Sequence, residues 1–186
     1  MNEYVRVYDN HMPPECCDEL ISMYKAFPDL HYRYDHDGSP NMDQMNFTQN
    51  RHIHPTLHQY LVNLSLKAIK QYKEEVPETV HWPEKYSLED FRIKHYNAGG
   101  NDRFDEHVDV KSLISSKRFL IFFWYLNDVE EGGETEVTNI GVKVKAEKGK
   151  LLTLPPYWMF PHIGHPVSKG EKYLLSSYMH LNEDSK

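Results

Sequence analysis

The chain has 186 residues, with 21 Lys and Arg against 28 Asp and Glu, a formal net charge of −7 and an aromatic content of 13%. That length is about one domain's worth and can bury a core without disulfide or metal staples. The acidic balance argues against a binder of nucleic-acid backbone, whose footprint is a basic face, and the 39% hydrophobic content excludes a disordered chain.

Taken in order, residues 3–9 alternate like a first strand. Pro13-Pro14-Glu15 suits a helix N-terminus, and Cys17, Leu20, Ile21 and Tyr24 follow at the spacing of one helical face. Residues 28–51 are rich in Pro, Gly, Asp, Asn and His and read as a long loop with room for one strand. Pro55 opens a second helix, whose Leu57, Tyr60, Leu61, Leu64, Ala68, Ile69 and Tyr72 form the wide apolar stripe of a helix lying on a sheet. It stops near Pro77. Short β-type runs follow at Leu88–Tyr96, Arg118–Leu126, Val142–Lys145, Lys150–Leu154, Tyr157–Pro161 and Tyr173–Leu181, punctuated by Gly, Pro and Asn-Asp turns. Two helices and then many strands predict an α+β fold in which the second half closes as a sandwich or barrel. The unbroken apolar run Phe119–Leu126 predicts a strand buried on both faces.

That same run is far short of the roughly 18 apolar residues of a membrane-spanning helix, and the N-terminal residues lack the pattern of a signal peptide. Cys16 and Cys17 are neighbours that cannot staple distant segments. A cytoplasmic protein with reduced thiols, without a membrane partner, is the expectation.

Twelve histidines are present, and most must be ordinary. His107-Val108-Asp109 stands out because residues i and i+2 of an extended chain project from one face, so an imidazole and a carboxylate can bind one metal. A third ligand must come from another strand, with His162 and His165 as candidates. Two His and one carboxylate on one face of an octahedron leave cis positions open, the signature of non-haem Fe(II) oxygenases. Such a site suits an anionic chelating co-substrate and needs a buried cation for its far end; Lys172 follows His162 by ten residues. A rival cluster, His52-Ile53-His54 with His58, is interrupted by Pro55 and lacks a carboxylate in register. Cys16 and Cys17 lack a histidine in register, and no Gly-x-Ser-x-Gly elbow or phosphate loop occurs.

Three blocks then carry a resemblance. Tyr96-Asn97-Ala98-Gly99-Gly100 with Phe104-Asp105-Glu106-His107-Val108-Asp109, Tyr125-Leu126-Asn127 with Gly132-Gly133-Glu134-Thr135, and His162-Ile163-Gly164-His165-Pro166-Val167 running to Gly170-Glu171-Lys172 stand in this order. Together they resemble the prolyl 4-hydroxylase-like 2-oxoglutarate/Fe(II) dioxygenases. The resemblance implies a single domain over 1–186: a double-stranded β-helix, a jelly-roll or cupin-like barrel, in 88–181, buttressed by the helices and loops of 1–87. It implies His107, Asp109 and His162 as catalytic metal ligands, with His165 a neighbour. It implies Lys172, Tyr125 and Tyr96 as 2-oxoglutarate contacts, and Fe(II), 2-oxoglutarate and O2 as cofactors, with ascorbate a candidate reductant. The implied reaction hydroxylates a substrate side chain and releases succinate and CO2. Its leading substrate is proline in a peptide or protein; the alternative is the same chemistry on a free amino acid, small metabolite or nucleobase. Net charge and the lysine at 172 disfavour nucleic acid, and completeness of the ligand set disfavours a non-catalytic binding barrel. The sequence departs from the collagen-type pattern at Phe104 and Tyr178, which stand where those relatives have Tyr and Trp. Arg118, Trp124 and Tyr178 are the candidate substrate contacts, with a rim charge at Arg118 and a packed aromatic at Trp124 as the competing readings.

Overall fold

The computed structural model describes residues 2–35, 39–99 and 101–182; Gly100 of the Gly-Gly turn lies outside them. Helix α1 (Pro14–Ala26) begins with proline in its first turn and buries Cys16, Cys17, Leu20, Met23 and Tyr24. Helix α2 (Pro55–Glu75) again starts on proline. The His54 ring caps it by accepting from the Leu57 amide, and it buries Leu57, Leu61, Leu64, Ala68, Ile69 and Tyr72. Among the described residues no helix is long and apolar enough to cross a membrane.

The strands are β1 (Arg6–Tyr8), β2 (Tyr32–Asp35), β3 (Asn41–Asn46), β4 (Tyr86–Leu88), β5 (Arg92–Asn97), β6 (Phe104–His107), β7 (Arg118–Tyr125), β8 (Glu131–Gly132), β9 (Thr135–Val137), β10 (Val142–Val144), β11 (Leu151–Leu154), β12 (His162–Gly164), β13 (Val167–Lys169) and β14 (Glu171–Leu181). An eight-stranded antiparallel sheet runs β1-β11-β7-β14-β5-β3-β2, with β4 also on β14. A four-stranded sheet runs β10-β9-β12-β6, and β13 pairs with β8. Where that last pair closes, Gly132 has a positive φ of 76°, and a Cβ there would collide with the Pro166 carbonyl oxygen. Only glycine fits this turn.

Strand periodicity divides the large sheet into two faces. On β7, Leu120, Phe122 and Trp124 join a core with both helices, as does Leu126 just after it, while Ile121, Phe123 and Tyr125 face a second core with Val137, Val144 and Phe160 of the smaller sheet's side. The expected strand buried on both faces is therefore present.

Two expectations need correction. The segment 28–51 is not mainly loop: β2 and β3 form a hairpin, and β3 pairs with β5 to extend the large sheet. Its periodicity was faint because every residue of β2 is exposed. The strand expected within residues 3–9 is present as β1, which pairs with β11. The run Tyr157–Pro161 is a turn closed by the Phe160 amide on the Tyr157 carbonyl, and the strand starts at His162. Three prolines at 155, 156 and 161 remove the amides a ladder would use.

Leu61→Ala, at a nearly inaccessible position of α2, is expected to destabilise the fold by about 2–5 kcal/mol in chemical denaturation.

Candidate active site

β6 ends at His107, and Asp109 follows two residues on. β12 runs antiparallel beside β6 with His162 directly opposite His107. One ligand atom from each of His107, Asp109 and His162 lies within 4.8 Å of the others. His107 Nε2 is 3.9 Å from Asp109 Oδ1, His162 Nε2 is 3.3 Å from Asp109 Oδ2, and none of the three side chains is more than 8% exposed. Ligands about 2.1 Å from a common ion and at right angles stand about 3 Å apart, so these separations are near those a single ion needs.

The rings are held from behind. His107 Nδ1 donates to the Asp105 carbonyl at 2.8 Å and His162 Nδ1 to the Phe160 carbonyl at 3.1 Å. Each bond fixes the tautomer that leaves Nε2 a free lone pair. Phe104 stacks on His107, ring centroids 3.3 Å apart and planes 6° from parallel. Burial, and next the adjacent His162, lower the His107 pKa to about 3, so that ring is neutral at neutral pH. Burial pushes the Asp109 carboxyl upward, but His162, His107 and Lys94 outweigh it and hold the group well below the usual carboxylate range.

Asp109 Oδ2 and His162 Nε2 are buried without a hydrogen-bond partner. Unpaired polar atoms of this kind are costly, and a shared cation removes the cost. Two imidazoles and one carboxylate on one side of that cation are the donor set of non-haem ferrous sites. The residues fit such an ion.

Lys172, at the start of β14, is 2% exposed. Its Nζ donates to the Gly133 carbonyl at 2.6 Å and lies 5.2 Å from the Tyr96 ring centroid and 5.5 Å from that of Tyr125. Burial first, and the charge of Lys94 second, lower its pKa to about 7. A narrow chamber joins Lys172, Tyr96 and Thr135 to the His107, Asp109 and His162 group. Tyr125 stands behind Lys172 with its hydroxyl buried and unpartnered. The chamber adjoins an open outer cleft of about 790 Å³ that shares Lys94, Phe104, His107 and Asp109 with it.

Of the three candidate substrate contacts, Arg118 lines the cleft but is clamped by Glu89 through bonds of 2.7 and 2.8 Å. Its guanidinium lies 4.0 Å above the Tyr178 ring. Tyr178 also lines the cleft, and its hydroxyl donates to Asp109 Oδ1 at 2.9 Å. Trp124 does not reach the site. Tyr125 faces the chamber side of β7, so its neighbour must face the helices, where the Trp124 indole donates to His11 Nδ1 at 3.1 Å. His165 is bound to Glu136 instead of joining the triad. His52 is exposed, His54 caps α2 and bonds Glu19, and His58 contacts Thr48. No metal-binding group forms from them among the described residues. Sequence reasoning missed Lys94 and Thr135. Lys94 was findable, because it shares a strand face with Tyr96 at i and i+2.

Residues 91–180 match the profile of the 2OG-Fe(II) oxygenase superfamily, and this segment contains the whole triad and Lys172. Over that segment the chain is similar to the 2OG-Fe(II) oxygenase superfamily. Fe(II) and 2-oxoglutarate are the cofactors that this likeness and the triad imply. Probable prolyl 4-hydroxylase 9 of Arabidopsis thaliana is 35% identical over 120 residues, 49% of this chain and 40% of that protein. The chain thus spans well under half the length of that relative. Probable prolyl 4-hydroxylase 3 of the same plant is 25% identical over 210 residues, 95% of this chain and 69% of that protein. In fold, the chain is similar to the viral collagen prolyl hydroxylase of Paramecium Bursaria Chlorella virus-1 in its 2OG complex. That match has a TM-score of 0.71 and 22% identity and covers 96% of this chain and 97% of the other. A Trichoplax adhaerens prolyl hydroxylase, solved with a hypoxia inducible factor oxygen degradation domain peptide, has a TM-score of 0.76 at 13% identity, covering 96% and 84%. These likenesses match the α+β jelly-roll reading.

Tyr178→Phe removes the hydrogen bond to Asp109 and keeps the ring over which Arg118 lies. Its affinity for Mn(II), measured by anaerobic calorimetry, is expected to fall about tenfold.

Proposed function

We propose that this chain is a 2-oxoglutarate- and Fe(II)-dependent dioxygenase that hydroxylates a side chain of a peptide or protein, with peptidyl proline as its substrate. The observation that carries the reading is a complete His107–Asp109–His162 donor face sharing one chamber with the buried ammonium of Lys172. Proline as target draws support from the names of the relatives, two prolyl 4-hydroxylases from a plant and two prolyl hydroxylase folds. The cytoplasmic setting remains part of this reading and rests on the adjacent, unpaired Cys16 and Cys17.

Bound to the donor face, Fe(II) would with 2-oxoglutarate and O2 supply the oxidising power, one oxygen atom entering a substrate C–H bond and the other leaving in succinate as CO2 is lost. The chain's own residues supply placement. His107 and His162 hold their lone pairs side by side because the Asp105 and Phe160 carbonyls fix the rings. Tyr178 occupies one lobe of the Asp109 carboxylate and so aims the other at the donor face. Lys172 receives the distal carboxylate of the co-substrate, and the Tyr96 and Tyr125 rings line its flanks. Phe104 and Phe123 exclude water around the imidazoles. The outer cleft, with Tyr32 and Tyr34 on its wall, receives the substrate.

Under anaerobic conditions, Fe(II) and 2-oxoglutarate are expected to give a visible metal-to-ligand charge-transfer band that His107→Ala loses. A wild-type protein without the band overturns the reading. The affinity for 2-oxoglutarate should also depend on pH. Free Lys172 has its pKa lowered to about 7, whereas a bound carboxylate favours the charged form and raises it. Binding above pH 7 therefore takes up a proton, and affinity falls as pH rises from 7 to 9. Calorimetry in buffers of different ionisation heat reads this uptake, and Lys172→Ala should abolish it.

A further inference from the structure

Lys94 is the buried charge at this site that the oxygenase reading leaves without a task. It stands on β5 opposite Gln44 of β3 and Leu174 of β14, on the face it shares with Tyr96. It is 8% exposed, and its ammonium makes no hydrogen bond or ion pair with any described residue. Its close neighbour is the Phe123 ring, 5.8 Å from Nζ to centroid. The arginines near it are already committed, Arg92 to Asp90 at 3.7 Å and Arg118 to Glu89 at 2.7 Å. Burial lowers the Lys94 pKa to about 8, with Asp109 opposing.

We propose that Lys94 binds a carboxylate carried by the substrate, so that the preferred substrate is acidic beside the residue that is hydroxylated. This rests on the oxygenase reading and names the substrate class of the same site. Charge is the first argument. A divalent ion, Lys94 and Lys172 set against Asp109 leave three positive charges where the chamber meets the cleft. The two negative charges of 2-oxoglutarate balance two of them. One remains, and a buried charge without a counter-charge is costly.

Position is the second argument. Lys94 lines both the inner chamber and the outer cleft, whereas Lys172 lines the chamber alone. Lys94 therefore stands where the chamber opens into the cleft, so its ammonium faces a group held in the cleft while Lys172 faces the co-substrate. There it has Gln44 opposite it on β3, a buried polar side chain that also lines the cleft. An ammonium and an amide side by side are donors suited to a carboxylate.

The test uses the full chain loaded with Mn(II) and 2-oxoglutarate under argon, with fluorescein-labelled proline hexapeptides read by anisotropy. One pair carries Glu or Gln next to proline; a second pair ends in proline as the free acid or the amide, which separates a side-chain carboxylate from a terminal one. The carboxylate member of at least one pair is expected to bind about tenfold more tightly. Lys94→Met should bring that ratio to about one, and Lys94→Arg should keep most of it. Lys94→Met is also expected to melt a few degrees higher, since it removes an unpaired buried charge, which a merely structural lysine would not do. In the same variant, 2-oxoglutarate affinity, read from the Fe(II) charge-transfer band, should change less than twofold. Equal binding of both members of each pair by the wild type, including no binding of either, overturns the proposal, as does an unchanged ratio in Lys94→Met. A tenfold loss of 2-oxoglutarate affinity in Lys94→Met also overturns it, because the carboxylate is then the co-substrate's. A wild type with no charge-transfer band sinks the oxygenase reading itself, an outcome distinct from all of these.

Discussion

The antiparallel pairing of His162 with His107 is the constraint on which the site depends. Two short strands, β6 and β12, place the imidazoles opposite each other, and the chain beyond His107 needs only two residues to bring Asp109 alongside. A shift of one residue in that register would turn His162 to the other side of its sheet. The register is itself guarded, since β12 also pairs with β9 through three residues. Backbone carbonyls two residues before each histidine then orient the rings, so local chain geometry sets the direction of both lone pairs.

The large sheet performs a separation that follows from the pleat. Its helix-facing side is filled by Leu120, Phe122, Trp124, Leu175 and Met179 against α1 and α2, while the opposite side carries Lys94, Tyr96, Tyr125, Lys172 and Tyr178. The first side supplies stability through apolar burial. The second accumulates charges and unpaired polar atoms that such burial must offset. Burial depresses both ammonium groups toward neutrality, helped at Lys172 by the charge of Lys94 and at Lys94 by Arg92 and Arg118.

Much of this was legible before any coordinates. His-x-Asp depends on chain geometry alone, and the two apolar helices and the buried strand follow from spacing. The third ligand was less legible: His162 and His165 stood equally well as residues, and the choice between them needed the family resemblance. Of the two readings open for Trp124, substrate contact and packed aromatic, the second holds, because strand alternation puts it on the face opposite to that of Tyr125. Lys94 was passed over, since it lies in a run with no motif, and its burial comes from β3, whose pairing with β5 the hairpin's exposed outer strand concealed. The turn at 157–161 looked like a strand because aromatic residues favour strands, while the prolines around it decided otherwise.

The bond from Lys172 to the Gly133 carbonyl reaches beyond the turn that contains it. A free lysine side chain gives up on the order of 1.5–2 kcal/mol of rotational freedom when fixed. Here the tether at 2.6 Å has already fixed it, so a ligand arriving at the ammonium meets a group that is ordered in advance. Two of its three protons remain to be directed elsewhere. The glycine turn is thus a part of the anion receptor, acting by restricting motion and without touching the guest.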